Sequence, residues 1–263
     1  MNLQETETST RRSRLAKRTH KLRRTVFIIP SLFTVGNIFA GFYSIISAYH
    51  GEYNRAALAI GFAVVLDGLD GRIARMTGAT SDFGLQLDSL ADIISFGVAP
   101  SVLIYSWGFE DLGNFARFSA FLFLICGAMR LARFNVQTAE MKHFAGMPIP
   151  AGAGMIAAIV HFFGDPPESI VAKSLLVGLT YVLALLMIST IRFFSFKQLH
   201  LSKGKSHLNV LALAIIIAGV VFYSEIVLLI IATVYALSGL AGRVIQEIRR
   251  ALGRGAVKAD EQS

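Results

Sequence analysis

The 263-residue chain is 54% hydrophobic and 16% charged, with a formal net charge of +8. An average soluble domain is about one quarter charged, so this composition excludes a set of ordinary water-soluble domains and indicates one membrane bundle. The positive balance does not indicate nucleic acid, because Lys and Arg are confined to short loops and the termini, leaving no soluble basic domain to hold a duplex.

Residues 1–24 form a polar arm carrying RRSRLAKRTHKLRR, suited to rest on anionic head groups or to act only as a topology anchor. The next run contains Pro30 and Asn37 and lacks a small-residue cleavage site, so it reads as a retained span and not a signal peptide. Apolar runs near the roughly 20 residues needed to cross a bilayer then recur at 27–49, 55–76, 86–108, 115–137, 149–164, 170–191, 207–223 and 226–246. The expected fold is therefore an all-α, polytopic bundle of about eight transmembrane helices.

The loops divide by charge. The arm, Arg72 and Arg75, Arg130 and Arg133 with Lys142, and the stretches 192–205 and 243–254 are basic, whereas HGEYNR, GFEDLGN, GDPPES and YSE are short and mostly acidic. Basic loops favour the cytoplasmic side, which places both termini there. Cys126 lies alone in an apolar run, and the six histidines lack metal-ligand spacing and read as loop or interface residues. Trp107 is expected at the outer boundary, where amphipathic aromatics collect. Phe121 and Phe123 are expected to face lipid or neighbouring helices.

The stretch VVLDGLDGRIARMTGATSDFGLQLDSLADIISFG, residues 64–97, carries the chemistry. On helices, Asp67 and Asp70 share a face, as do Asp88 and Asp92. A glycine-rich turn between the two helices lets the four carboxylates converge. Such a cluster at low dielectric demands a counter-charge, because each acid loses hydration and repels its neighbours. Oxygen-only ligands favour hard cations such as Mg²⁺ or Mn²⁺, and four carboxylates suffice for two ions, the arrangement that clamps a phosphoryl displacement. Arg72 and Arg75 are placed to hold phosphate oxygens or to pair with the acids. The competing readings are a network of capping and Arg-paired aspartates, which two arginines are too few to neutralise, and a cation or proton transporter.

The pattern Asp67-x2-Asp70-Gly71-x2-Ala74-Arg75-x8-Gly84-x3-Asp88-x3-Asp92 resembles the signature of the CDP-alcohol phosphatidyltransferases at every position. That resemblance implies an integral membrane enzyme that moves a phosphatidyl group from a CDP-lipid to an alcohol and releases CMP. It further implies that Asp67, Asp70 and Asp88 ligate a metal pair completed by Asp92, that Asp92 is the general base, and that Gly71, Arg75 and Gly84, with Asp67, line the CDP-lipid site. The implied organisation is a basic arm (1–24), a catalytic core (25–191), two additional spans (192–247) and a polar tail (248–263), with a homodimer suggested.

Four further stretches, IPSLFTVGNIFAGFYSI, LADIISFGVAPS, MRLARFNV and GMPIPAGAG, together resemble the phosphatidylserine synthases of the eight-span membrane type. The partners so implied are CDP-diacylglycerol, L-serine and membrane lipid. Arg130 and Arg133, three apart on one helical face, suit the serine carboxylate, and Asn135 can add a hydrogen bond; both arginines are equally readable as interfacial anchors. Thr34 and Asn37 read either as nucleotide contacts or as helix-packing groups. Phosphatidylglycerophosphate synthase and phosphatidylcholine synthase are the alternatives within the family; the former usually has six spans, and cationic choline has little use for two arginines.

Overall fold

The computed structural model describes residues 31–77, 81–137, 146–191, 218–220, 222–239 and 242, with backbone alone at positions 74, 75, 77 and 137. Among these residues the secondary structure is helical, and no strand occurs. In chain order the helices are α1 (Ser31–Tyr49), α2 (Tyr53–Thr77), α3 (Asp82–Asp92), α4 (Ala99–Ile104), α5 (Gly113–Gln137), α6 (Ile149–Phe163), α7 (Ile170–Ile188) and α8 (Ser224–Gly239). The basic arm, Lys142, residues 192–205, most of the expected span at 207–223, and the polar tail lie outside the described residues.

Local chemistry explains the boundaries. Ser81 caps α3, its Oγ accepting a hydrogen bond from Gly84 N at 3.0 Å, and Asp82 complements the positive end of the helix. After Asp92 the helix widens into a π-helical turn over Ile93–Val98 before α4 resumes the tighter winding. Gly113, with φ 68°, takes the left-handed conformation that other residues adopt at a steric cost. There the chain reverses, so α5 returns along α4 and the π turn.

The hydrophobic pattern then sorts residues between interior and surround. Phe96, Phe123, Ile149, Ile156, Leu183 and Met187 are fully buried, while Phe39, Phe62, Phe118, Phe121, Leu175 and Leu185 point outward. An apolar exterior of this kind is the mark of a chain solvated by hydrocarbon. Phe121 and Phe123 thus divide as the sequence allows, one outward and one inward. Three helical stretches among the described residues are long and apolar enough to cross a membrane by length and composition: Ser31–Tyr49, Asp82–Val136 and Ile170–Ile188. The second is 55 residues long and folds back on itself at Gly113, supplying two limbs. α2 is also long enough, but Asp67, Asp70 and Arg72 interrupt its apolar character.

Small residues set the packing around the acids. α1 crosses the π turn at Gly41, and Ser95 Oγ donates to the backbone carbonyl of Asn37 at 2.7 Å. α2 lies against α6, and α5 against α7. Before α6, the backbone amides of Gly146 and Met147 donate to the carbonyls of Ile191 and Leu186 at 2.9 and 3.0 Å, tying the start of α6 to the end of α7.

Two side chains outside the acidic stretch join separate segments. Trp107 is 2% exposed, and its indole N–H donates to the carbonyl of Gly164, in the GDPPES loop, at 3.1 Å. His161 is no loop residue: it is buried in α6, and its two ring nitrogens meet Asn54 on α2 and, at 2.8 Å, Ser224 Oγ on α8.

Candidate active site

The turn between α2 and α3 brings the two ends of the acidic stretch together. One carboxylate oxygen from each of Asp67, Asp88 and Asp92 lies within 4.8 Å of the other two. Asp88 and Asp92 stack one turn apart on α3, and Asp67 faces them from α2. The fourth acid is turned differently. Asp70 is 6% exposed, and its Oδ2 accepts a 2.6 Å hydrogen bond from Thr34 Oγ1, which fastens α1 to α2 beside the cluster. It remains close enough to interact electrostatically with Asp88 and Asp92.

Three carboxylates this close repel strongly where water is scarce. Among the described side chains, the Arg130 guanidinium, carried by α5, interacts with both Asp92 and Asp67. Asp92 Oδ1 is also buried without a hydrogen-bond partner among the described residues, as is Arg130 Nε. Buried polar atoms are nearly always partnered, so an unpartnered carboxylate oxygen beside two more carboxylates fits a ligand position for a cation. All three donors are hard oxygens, and the cluster can hold a divalent metal.

The remaining sequence candidates distribute unevenly. Arg133 is exposed, whereas Arg130 points into the site, so the two do not form one guanidinium pair. Asn135 Nδ2 donates to Ser89 Oγ at 2.9 Å, tying the end of α5 to the α3 turn that separates Asp88 from Asp92. Gly84 uses its amide to cap α3, and a Cβ there would stand 3.1 Å from Ser81 Oγ. Gly71 follows Asp70 on α2, and Arg72 is exposed. The Arg75 side chain lies outside the described residues. Asn37 is 1% exposed, with both side-chain amide atoms unpartnered among the described residues.

Two contributors are absent from the sequence reading. Ser89 lies inside the acidic signature and could have been noticed as a polar residue on the buried side of α3. Tyr235 of α8 interacts with Arg130; more than one hundred residues away in sequence, it carries no local signal.

Residues 27–191 match the model of the CDP-alcohol phosphatidyltransferase family. The chain belongs to this family. Among curated relatives, the CDP-diacylglycerol–serine O-phosphatidyltransferase of Helicobacter pylori is 38% identical over 205 residues, covering 75% of this chain and 82% of the relative. The enzyme of the same name from Bacillus subtilis is 39% identical over 170 residues, covering 65% of this chain and 92% of the relative. An archaetidylserine synthase from Methanothermobacter thermautotrophicus is 42% identical over 137 residues, covering 51% of this chain and 58% of the relative. In this CDP-alcohol phosphatidyltransferase, α1 to α7 fall within the matched residues, and α8 lies beyond them.

Proposed function

We propose that this CDP-alcohol phosphatidyltransferase transfers the phosphatidyl group of CDP-diacylglycerol to the hydroxyl of L-serine, releasing CMP. Family membership and the names of its relatives support the reaction. The observation that carries the chemistry is the convergence of Asp67, Asp88 and Asp92 around the unpartnered Asp92 oxygen.

Asp67, Asp70 and Asp88 are the proposed ligands of two divalent ions, Mg²⁺ or Mn²⁺, with Asp92 completing the pair. For Asp70, Oδ1 and the remaining lone pair of Oδ2 are the available donors, since Thr34 occupies one acceptor site of Oδ2. When bound, such ions supply neutralising charge to the pyrophosphate. Asp92 is the proposed general base, because a serine hydroxyl is a weak nucleophile at neutral pH and needs a proton acceptor within hydrogen-bond reach. The hydroxyl oxygen bonds to the phosphorus bearing the diacylglycerol, the pyrophosphate P–O bond to CMP breaks, and the hydroxyl proton passes to Asp92. Arg130 sits where it can receive the serine carboxylate beside the base. Asn135 positions α3 through Ser89, while exposed Arg133 suits the interfacial anchor role. Gly71, Arg75 and Gly84 are proposed to border the cytidine diphosphate.

The proposed topology has eight spans with both termini and the active site cytoplasmic, residues 25–191 forming the core, and two spans added over 192–247. This keeps acyl tails in lipid while nucleotide and serine arrive from water. The test is CMP release from membranes holding the protein, with CDP-diacylglycerol and, separately, L-serine, glycerol 3-phosphate or choline, each with and without chelator. Serine-dependent release abolished by chelator is expected. Release insensitive to chelator overturns the metal assignment, and turnover with glycerol 3-phosphate but not serine overturns the acceptor.

A further inference from the structure

Beyond the acids, α2, α6 and α8 enclose a cavity of about 370 Å³ with an almost wholly apolar lining. Its near end is formed by Val64, Val65, Pro148 and Tyr235, and its far end reaches His161. Val65 lies two residues before Asp67, and Tyr235 interacts with Arg130, so the cavity begins where the charged site ends. Along α2 the lining runs from Ala57 to Val65, about 12 Å at the helical rise, and along α6 from Pro148 to His161, about 20 Å. Half of a hydrocarbon core is about 15 Å, the depth that one acyl chain occupies in one leaflet. Leu58, Val65 and Ile231 on the rim are themselves exposed on the apolar exterior, so the cavity opens sideways toward lipid.

The glycines in the wall show that this space is not a by-product of close helix packing. Gly61 on α2 and Gly154 on α6 both line it, and a Cβ built at either would meet nothing within 4 Å. Contrast Gly152, one residue pair away on α6, where a Cβ would run into Met187 and Phe123. Glycine is about 1 kcal/mol less favourable than alanine inside a helix, and at Gly61 and Gly154 no neighbour requires it. What both glycines leave is room.

We propose that this cavity receives one acyl chain of the CDP-lipid donor, with α8, from outside the family-matched residues, closing its wall and Tyr235 standing between chain pocket and charged site. The inference rests on the reading of the protein as a CDP-diacylglycerol-dependent transferase. It gives the C-terminal extension a role in selecting the donor by chain length.

The test compares wild-type, Gly154→Leu, Gly61→Leu and Gly178→Leu full-length proteins in nanodiscs, measuring CMP release with L-serine and either dioctanoyl or dipalmitoyl CDP-diacylglycerol. A chain kept out of the pocket stays in lipid and loses no hydrophobic free energy, but it draws the donor phosphates out of register, and a misplacement of about 1 Å can lower the rate about a hundredfold. Filling the pocket from either wall is therefore expected to lower kcat/KM for the dipalmitoyl donor, relative to the dioctanoyl donor, by about tenfold. Gly178 faces outward on α7 with equally open space, and its variant should keep the wild-type ratio. A donor carrying a photoreactive diazirine midway along one chain should label peptides of α6 or α8 in the wild type. An unchanged donor ratio in both pocket variants, or labelling confined to other helices, overturns the pocket while leaving the transferase reading intact. Wild-type protein that releases no CMP from either donor removes that reading, and the pocket with it.

Discussion

Replacing Gly41 by alanine tests how tightly the first helix governs the active site. A methyl group on Gly41 would stand 2.5 Å from Ser95 Oγ and 2.8 Å from Ser95 Cα. Ordinary carbon contacts are about 3.5 to 4.0 Å, so the shortfall is about 1 Å. The hydroxyl can swing away, at the loss of its bond to the Asn37 carbonyl, but the Cα is backbone and cannot. α1 must therefore lift from the π turn. Overpacking of this kind costs about 1 to 3 kcal/mol, equivalent to a fall of roughly 3 to 10 °C in Tm for a chain of this size. The same movement carries Thr34 away from Asp70, and a displacement of about 1 Å near reacting groups can lower turnover about a hundredfold. The expected result is a lower Tm by thermal unfolding in detergent, together with at least about a tenfold fall in kcat for CMP release. Adding Ser95→Ala should recover part of the Tm, because it removes the hydroxyl overlap and leaves the Cα overlap. A Gly41→Ala protein with Tm within about 1 °C of wild type and full turnover would refute the reasoning.

Asp92→Asn should lower kcat by about 10² to 10⁴ while CDP-diacylglycerol still binds, as read by equilibrium binding of a labelled donor; near-normal turnover would remove its role as base. Arg130→Ala should raise the apparent KM for serine by more than Arg133→Ala does, since only Arg130 points toward Asp92; the comparison is made by serine titration at saturating donor. Trp107→Phe keeps an aromatic ring but deletes the pyrrole half of the indole at a buried position and forfeits the bond to the Gly164 carbonyl, for an expected loss of about 1 to 4 kcal/mol in unfolding free energy. Its serine KM should be unchanged, because the contact lies at the far end of α4 from the acids.

The aspartates were legible because helical periodicity alone puts residues three and four apart on one face. That they would face each other followed from the glycine-rich turn and from the improbability of isolated buried acids. Their individual orientations were not legible. Whether Asp70 turns toward its fellow acids or toward Thr34 depends on how α1 crosses α2, a contact between segments 36 residues apart. Arg130 and Arg133 looked equivalent because both sit at the same membrane depth; which one points inward is decided by the rotation of α5 against α3, which composition does not encode. The partner of Trp107 was hidden for a related reason. Its amphipathic ring suits an interface, but the carbonyl of Gly164 offers its N–H the same satisfaction inside the protein. Apolar stretches marked where the helices lie, yet the closure of α8 over α2 and α6 emerges only in three dimensions.

The π turn after Asp92 joins the acid-bearing limb to α4 without a break, so the two halves share one rotational phase. Each residue contributes about 100° of rotation in a regular helix, so shortening Ile93–Val98 by one residue would swing Asp88 and Asp92 about a quarter-turn relative to the anchored α4 half. Substitutions that keep the residue count leave the angle of the carboxylates as it is, whereas a single deletion at the joint does not.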